Sequence, residues 1–233
     1  MPKLLLVNLM VAYMSTAAVA QCQEHSAVPV ANAPYSAVRH VITTQRMSDG
    51  TVSRSEATQQ EARDSKGRSY RAGERHWTTE IDGKSIEKSE MLVTIDDPVA
   101  NTETKWDTIS AVVKIIHFRP PPAESSTTQP NVDAFSFDST AKSFNGKNLG
   151  TRTLEGISTE GIGYRTDKST HECWSSRDLK TVVLQTSEYP DHAFTNRLEN
   201  IRLGEPDVSI YKPPTGYSVN HVPLEQSGKT NVP

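Results

Sequence analysis

The sequence predicts a mainly β protein: a single strongly curved antiparallel sheet, an open half-barrel, with one or two short helices. Three observations predict it. Apolar residues alternate with polar ones along most of the chain, and no long stretch repeats them at three- and four-residue spacing. Asp-Gly and related polar pairs punctuate the alternating runs, where hairpin turns need positive φ. Hydrophobic content is 35%, which suits a thin core under one sheet with a wet face.

The elements follow in order. Ser36 to Arg46 alternates, with Val38, His40 and Ile42 on one face. Ser48-Asp49-Gly50 turns the chain, and Thr51 to Arg63 returns as a strongly polar strand. Asp64 to Gly67 turns it again into a third strand, Arg68 to Trp77, and Asp82-Gly83 makes another turn. Met91 to Ile95 is a short apolar strand, broken at Asp97-Pro98 because proline lacks the ladder donor. Thr104 to Phe118 holds the longest apolar run and is expected at the centre of the sheet. Residues 119–133, RPPPAESSTTQPNVD, read as an extended surface loop within one domain, since neither half has the apolar residues for its own core. Leu149 to Ile157, Gly161 to Thr166, Cys173 to Trp174, Thr181 to Tyr189 and Thr195 to Arg202 complete a set of about nine or ten strands. Ser176 to Leu179 is expected as one helical turn.

The ends set the compartment. Residues 1–20 read as a signal peptide, with Lys3, an apolar stretch from Leu4 to Met14 and an A-x-A site at Ala18 to Ala20. That stretch is shorter than a membrane span, and no later segment reaches span length. The expected location is therefore periplasmic or secreted after cleavage near Ala20, with no transmembrane span. Residues 21–34 are expected as a flexible arm, 35–219 as the β domain and 220–233 as a disordered tail. Cys22 follows the cut, but Gln21 and Val19 depart from a lipid-attachment signal. In an oxidising compartment Cys22 and Cys173 are expected to form a disulfide that ties the arm to the sheet; two unpaired thiols are the alternative. A net charge of −3 with mixed signs gives no basic stripe for nucleic acid.

An ordered series of short motifs carries a resemblance. YSAVR at 35–39, SDG at 48–50, RDSKGRSYR at 63–71 and IDDPV at 95–99 are joined by LGTRTLEGISTEG at 149–161, ECWSSRDLKTVV at 172–183 and RLENIRLGEPDVSIYKPPTGYSV at 197–219. Together they resemble an uncharacterised secreted family of Acidobacteria-type bacteria, which implies no activity and no catalytic residues. The chain is shorter than that family around Gly163 to His171. By layout alone, it also resembles the periplasmic lipoprotein-carrier fold, a curved half-barrel that holds acyl chains on its concave face.

The chemical candidates are few. Adjacent strand residues point to opposite faces, so with Trp174 packed inward Cys173 faces the other way, within reach of the arm. His171 shares the face of Cys173, but a nucleophilic cysteine also needs an orienting third group, and none is apparent. The seven histidines, His25, His40, His76, His117, His171, His192 and His221, show no ligand spacing, so no metal site is read. Gly156 to Gly161 spaces its glycines wrongly for a nucleophile elbow, Asp97 is expected to open a turn, and no phosphate loop or cofactor motif is present. Residues 204–217 read as a closing segment across a sheet rim, anchored by Ile210 and Tyr211; a lid or partner strap is the functional alternative. Trp77, Trp106 and Trp174 are either core residues or an amphipathic shelf for a lipid or glycan. Thr51 to Trp77 is too polar to line a greasy cavity fully.

The expected function is that of an exported, non-enzymatic protein that binds a lipidic or amphipathic ligand, or an envelope protein, on its curved sheet. A structural or interaction module that uses sheet edges and takes no small ligand is the alternative. A hydrolase, which no motif supports, comes third.

Overall fold

A computed structural model describes residues 30–81, 84–118 and 146–222. The leader, Cys22, most of the arm, the Asp82-Gly83 turn, the Pro-rich loop and the chain beyond Val222 lie outside the described residues.

Twelve strands form one sheet: β1 (Tyr35–Arg46), β2 (Val52–Arg63), β3 (Ser69–Ile81), β4 (Lys84–Asp97), β5 (Thr102–Asp107), β6 (Val112–His117), β7 (Lys147–Leu154), β8 (Ile157–Arg165), β9 (Thr170–Ser176), β10 (Thr181–Glu188), β11 (His192–Leu203) and β12 (Ser218–Val222). Their order is β12-β6-β5-β4-β3-β2-β1-β11-β10-β9-β8-β7. The end strands β12 and β7 do not pair with each other, so the curved sheet stays open, as the alternation predicts. Every ladder is antiparallel except β12 with β6, which is parallel. The expected boundary at residue 219 falls inside β12. At the other end, Ala33 is buried and Asn32 N–H donates to Ser65 O at 2.9 Å, so the last residues of the arm already belong to the body.

Three expectations need correction, each for a local reason. Thr104 to Phe118 is a hairpin, not one central strand. Asp107 Oδ1 accepts from the backbone of Ile109 (2.9 Å) and Ser110 (2.6 Å), its Oδ2 accepts from Ser110 Oγ, and Ala111 takes a φ of 50°. This short-range bonding turns the chain, leaves Ile109 57% exposed, and puts β6 next to the end of the sheet. Leu149 to Ile157 likewise folds back at Glu155-Gly156, whose φ values of 50° and 78° suit a tight hairpin. Ser176 to Leu179 is a turn rather than a helical one; Leu179 N–H donates to Ser176 Oγ, and the leucine is carried into the core at 2% exposure. The described helix is instead a 3-10 turn at Val208–Tyr211, capped by Asp207, whose Oδ1 accepts from Ser209 N–H at 2.8 Å.

The apolar residues gather in two clusters on opposite faces. Tyr35, Ala37, Ile157, Leu179, Val183 and Leu198 make one. Ala72, Val93, Ile95, Trp106, Val113 and Tyr211 make the other. The register shows the switch: Ser36 lies in one cross-strand row with Ala62, Tyr70 and Ile95, so Tyr35, its neighbour along β1, points the other way. A β-bulge in β11 at Asn200, φ 55°, lies within the first region, between Leu198 and Ile201.

The segment after β11 covers the Trp106 face. Gly204 N–H donates to Pro34 O at 3.1 Å, and Ser65 N–H donates to Glu205 at 3.2 Å. Ile210, Tyr211 and Tyr217 then pack on the second cluster. The Arg68 guanidinium lies 4.5 Å over the Tyr211 ring, and the Tyr211 hydroxyl donates to Arg68 O at 3.3 Å. The closing segment thus crosses one half of the sheet before β12 docks on β6. Beyond this body, Glu74–Ile81 and Lys84–Glu90 pair only with each other, because β2 meets β3 only at Gln59–Arg63 and β5 meets β4 only at Leu92–Asp97.

Candidate functional site

The three tryptophans do not meet. Trp106 is 7% exposed in the second cluster, on β5. Trp174 is 6% exposed on β9, with six strands between it and β5. Its indole lies on Gly161 of the neighbouring strand, the Arg152 guanidinium stacks on it at 3.8 Å, and its Nε1–H donates to Glu172 at 3.1 Å. Trp77 stands on the two-stranded ribbon, half-buried, with Arg75 5.5 Å over its ring. Two of the three indoles are therefore packing residues in separate places, and the third is exposed on one side.

Polar side chains collect instead on the Leu198 face. One cross-strand row runs Ile162, Cys173, Gln185, Asn196, Val41 across β8, β9, β10, β11 and β1. The next runs Tyr164, His171, Ser187, Phe194, Thr43. Direct cross-strand partners stand close enough for their side chains to touch. Gln185, Ser187 and His171 are buried; Ile162, Cys173, Asn196, Phe194 and Val41 are half-buried.

Arg39 anchors one end. Its Nε donates to Glu61 Oε2 at 2.6 Å, one terminal nitrogen donates to Glu61 Oε1 at 3.0 Å, and the other donates to Asn196 Oδ1 at 3.0 Å. The Tyr35 hydroxyl also donates to Glu61. Burial works against the Glu61 carboxylate, but the hydrogen bonds and charge of Arg39, together with the Tyr35 hydroxyl, hold it below the usual carboxylate range. Burial, and then the charge of Glu61, push the Tyr35 phenol far up, so it remains a donor. Sequence reading missed this group. Its one trace is a charged residue, Arg39, in phase with Tyr35, Ala37 and Val41.

His171 anchors the other end. Its Nδ1 is 2.9 Å from Ser187 Oγ and its Nε2 is 2.8 Å from Ser169 Oγ. The Tyr164 ring lies parallel to it at 4.2 Å, and Tyr189 meets it edge-on at 5.3 Å. Burial lowers its pKa, so the ring is neutral near pH 7. A neutral imidazole offers one donor and one acceptor, and two serine hydroxyls satisfy both. Cys173 does stand on the face of His171, as alternation predicts, with its Sγ 3.9 Å from Ser175 Oγ. Both imidazole nitrogens are already taken, so the ring is not placed to draw a proton from that thiol. Cys22 lies outside the described residues, and with it the expected disulfide. Among the described residues, no group of three or more His, Cys, Asp or Glu could hold a metal ion.

No family model matches the chain, and no curated protein matches it; the motif series that resembles a secreted family has no support there. Solved structures are similar at low level. PNGF-II aligns at 9% identity over 81% of this chain and 31% of its own, with a TM-score of 0.36. This chain thus spans about a third of the PNGF-II chain. A β-barrel-like DUF1849 protein from Brucella abortus aligns at 9% identity over 76% of this chain and 100% of its own, at 0.38. A domain from Vibrio parahaemolyticus, named for outer membrane lipoprotein sorting, aligns at 8% identity over 75% of this chain and 88% of its own, at 0.26. Scores this low assign no residue of this chain to a known site. Among the described residues, no helix is long and apolar enough to cross a membrane.

Proposed function

We propose that this chain is an exported, non-enzymatic protein that holds an amphipathic ligand, of lipid type, on the Leu198 face of its sheet. One observation carries the reading: the row Ile162, Cys173, Gln185, Asn196, Val41 puts hydrogen-bonding groups in the middle and branched apolar groups at both ends, across five adjacent strands. Such a wall suits a molecule with a polar head and an apolar body, with polar groups at its centre to meet the head and Ile162 and Val41 at its ends to meet the body. It suits a pure hydrocarbon chain poorly. The chemistry of His171 adds no nucleophile or acid–base pair to this wall, which favours binding over turnover. Periplasmic or secreted location, with Cys22 bridged to Cys173, belongs to the same reading, and a thiol count on denatured protein checks the bridge.

The test is extraction. Protein purified without detergent is extracted with organic solvent and measured by native mass spectrometry. An amphipathic species that co-purifies with the wild type and is lost from Asn196→Leu supports the proposal. Protein that is clean, and stays clean after incubation with lysophospholipid micelles, overturns it.

A second reading rests on the sheet edges. The outer edges of β12 and β7 pair with no described strand, and open edges accept strands from partners. Pull-down with residues 218–233 removed tests it; an unchanged set of partners counts against the β12 edge.

A further inference from the structure

His117 and His221 face each other across the junction of β6 and β12. His117 Nε2 and His221 Nδ1 are 3.1 Å apart. The rings are within 16° of parallel and their centroids are 5.4 Å apart. That separation equals the nitrogen–nitrogen distance plus about one ring radius on each side, so the two nitrogens meet head-on. In this state one ring donates a single N–H to the lone pair of the other. His221 is exposed and His117 half-buried, so water already competes for both nitrogens. A neutral hydrogen bond between such groups contributes little net stability.

We propose that this pair is a binding site for a transition-metal cation of the zinc or copper kind. Imidazole is the preferred protein ligand for these ions. Zinc holds each imidazole nitrogen at about 2.0–2.1 Å, so two of them on a tetrahedral ion stand roughly 3.3 Å apart. The observed separation is close to that value. An outward pivot of the two rings turns both lone pairs toward one ion, which takes the place of the shared proton. No third described His, Cys, Asp or Glu joins them, so water completes the coordination. Among the described residues, the cross-strand partners, Ile115 opposite His221 and Thr102 opposite His117, bring no charge that opposes a cation. The two ligands come from different strands, and the β12–β6 pairing is what brings them together. A bound ion therefore staples β12 to the sheet, and binding the folded state alone raises its stability.

The experiment uses the full chain stripped of metal with EDTA. Copper(II) and zinc are titrated separately by calorimetry into wild type, His117→Gln and His221→Gln, and melting is followed with and without each ion. The wild type should take up one equivalent of at least one ion and melt higher with it. Each substitution should weaken that binding more than tenfold, since loss of even a supporting partner costs about tenfold or more, and should remove the melting shift. Both side chains are partly or fully exposed, so the variants should keep the wild-type β circular dichroism. Two outcomes overturn the proposal: no uptake of either ion by the wild type, or uptake that survives unchanged in both variants and so belongs to other residues.

Discussion

The indole of Trp174 occupies the space above Gly161 on the adjacent strand: a methyl group at 161 would stand 2.6 Å from Cζ3. The Arg152 guanidinium also stacks on this indole, 3.8 Å from the ring centroid. Gly161→Ala should therefore destabilise the protein by about 1–3 kcal/mol through overpacking alone. Gly163→Ala, which would meet only the flexible end of Leu149 at 3.1 Å, should cost less. Urea unfolding followed by tryptophan fluorescence ranks the two.

Glu61→Gln removes the charge that Arg39 and Tyr35 are arranged around. The loss should be about 1.5–3 kcal/mol, because a neutral amide replaces the carboxylate that accepts two hydrogen bonds from Arg39 and one from Tyr35. The pH dependence has a definite sign. Glu61 has its folded pKa held below the ordinary 4.5. Its stabilisation is complete above that ordinary value and is lost as pH falls through the lower folded value. The wild type should thus lose stability in acid more steeply than Glu61→Gln, as denaturant midpoints taken through that range will show.

His171 should resist protonation. Burial lowers its pKa below the ordinary 6.5, so the unfolded chain binds a proton first as pH falls. Stability should decline from just above that value down to the folded pKa, a higher window than that of Glu61. Proton NMR of the ring will find His171 still mainly neutral at the ordinary imidazole midpoint of 6.5. A midpoint at or above 6.5 would contradict the buried placement.

Tyr211 pins the closing segment to the sheet. Tyr211→Ala should cost about 3 kcal/mol, as for other buried aromatic truncations, and should speed hydrogen exchange in β12. Tyr211→Phe keeps the ring under Arg68 and loses one long hydrogen bond, so its cost should stay below about 1 kcal/mol.

The open β sheet was legible because alternation over ten or more residues has few other outcomes, as β1, β2 and β11 show. The hairpin turns at Asp107 and Glu155 were harder to see. In each, the decisive bond or φ value belongs to one or two residues inside an otherwise strand-like run. The placement of Trp174 against its glycine neighbour follows partly from alternation, but the identity of that neighbour depends on strand register. The Arg39–Glu61–Asn196 group was not legible for the same reason. Asn196 lies 157 positions from Arg39 in sequence, and only the pairing of β1 with β11 brings them side by side. His117 and His221, 104 positions apart, were hidden likewise, since ligand spacing along a chain says nothing of ligands that meet across a sheet.

The change of buried side between the two clusters has a mechanical outcome. Among the described residues, five residue pairs, Gln59–Arg63 against Ser69–Gly73, and the Asp64 N–H to Arg68 O bond at their turn stitch the backbone of one half to the other, with the Gly204–Tyr217 crossing as a further tie. The two apolar clusters share no residue. Damage on one flank should therefore leave amide protection on the far flank nearly intact, and calorimetric melting should resolve into two components once that crossing is cut.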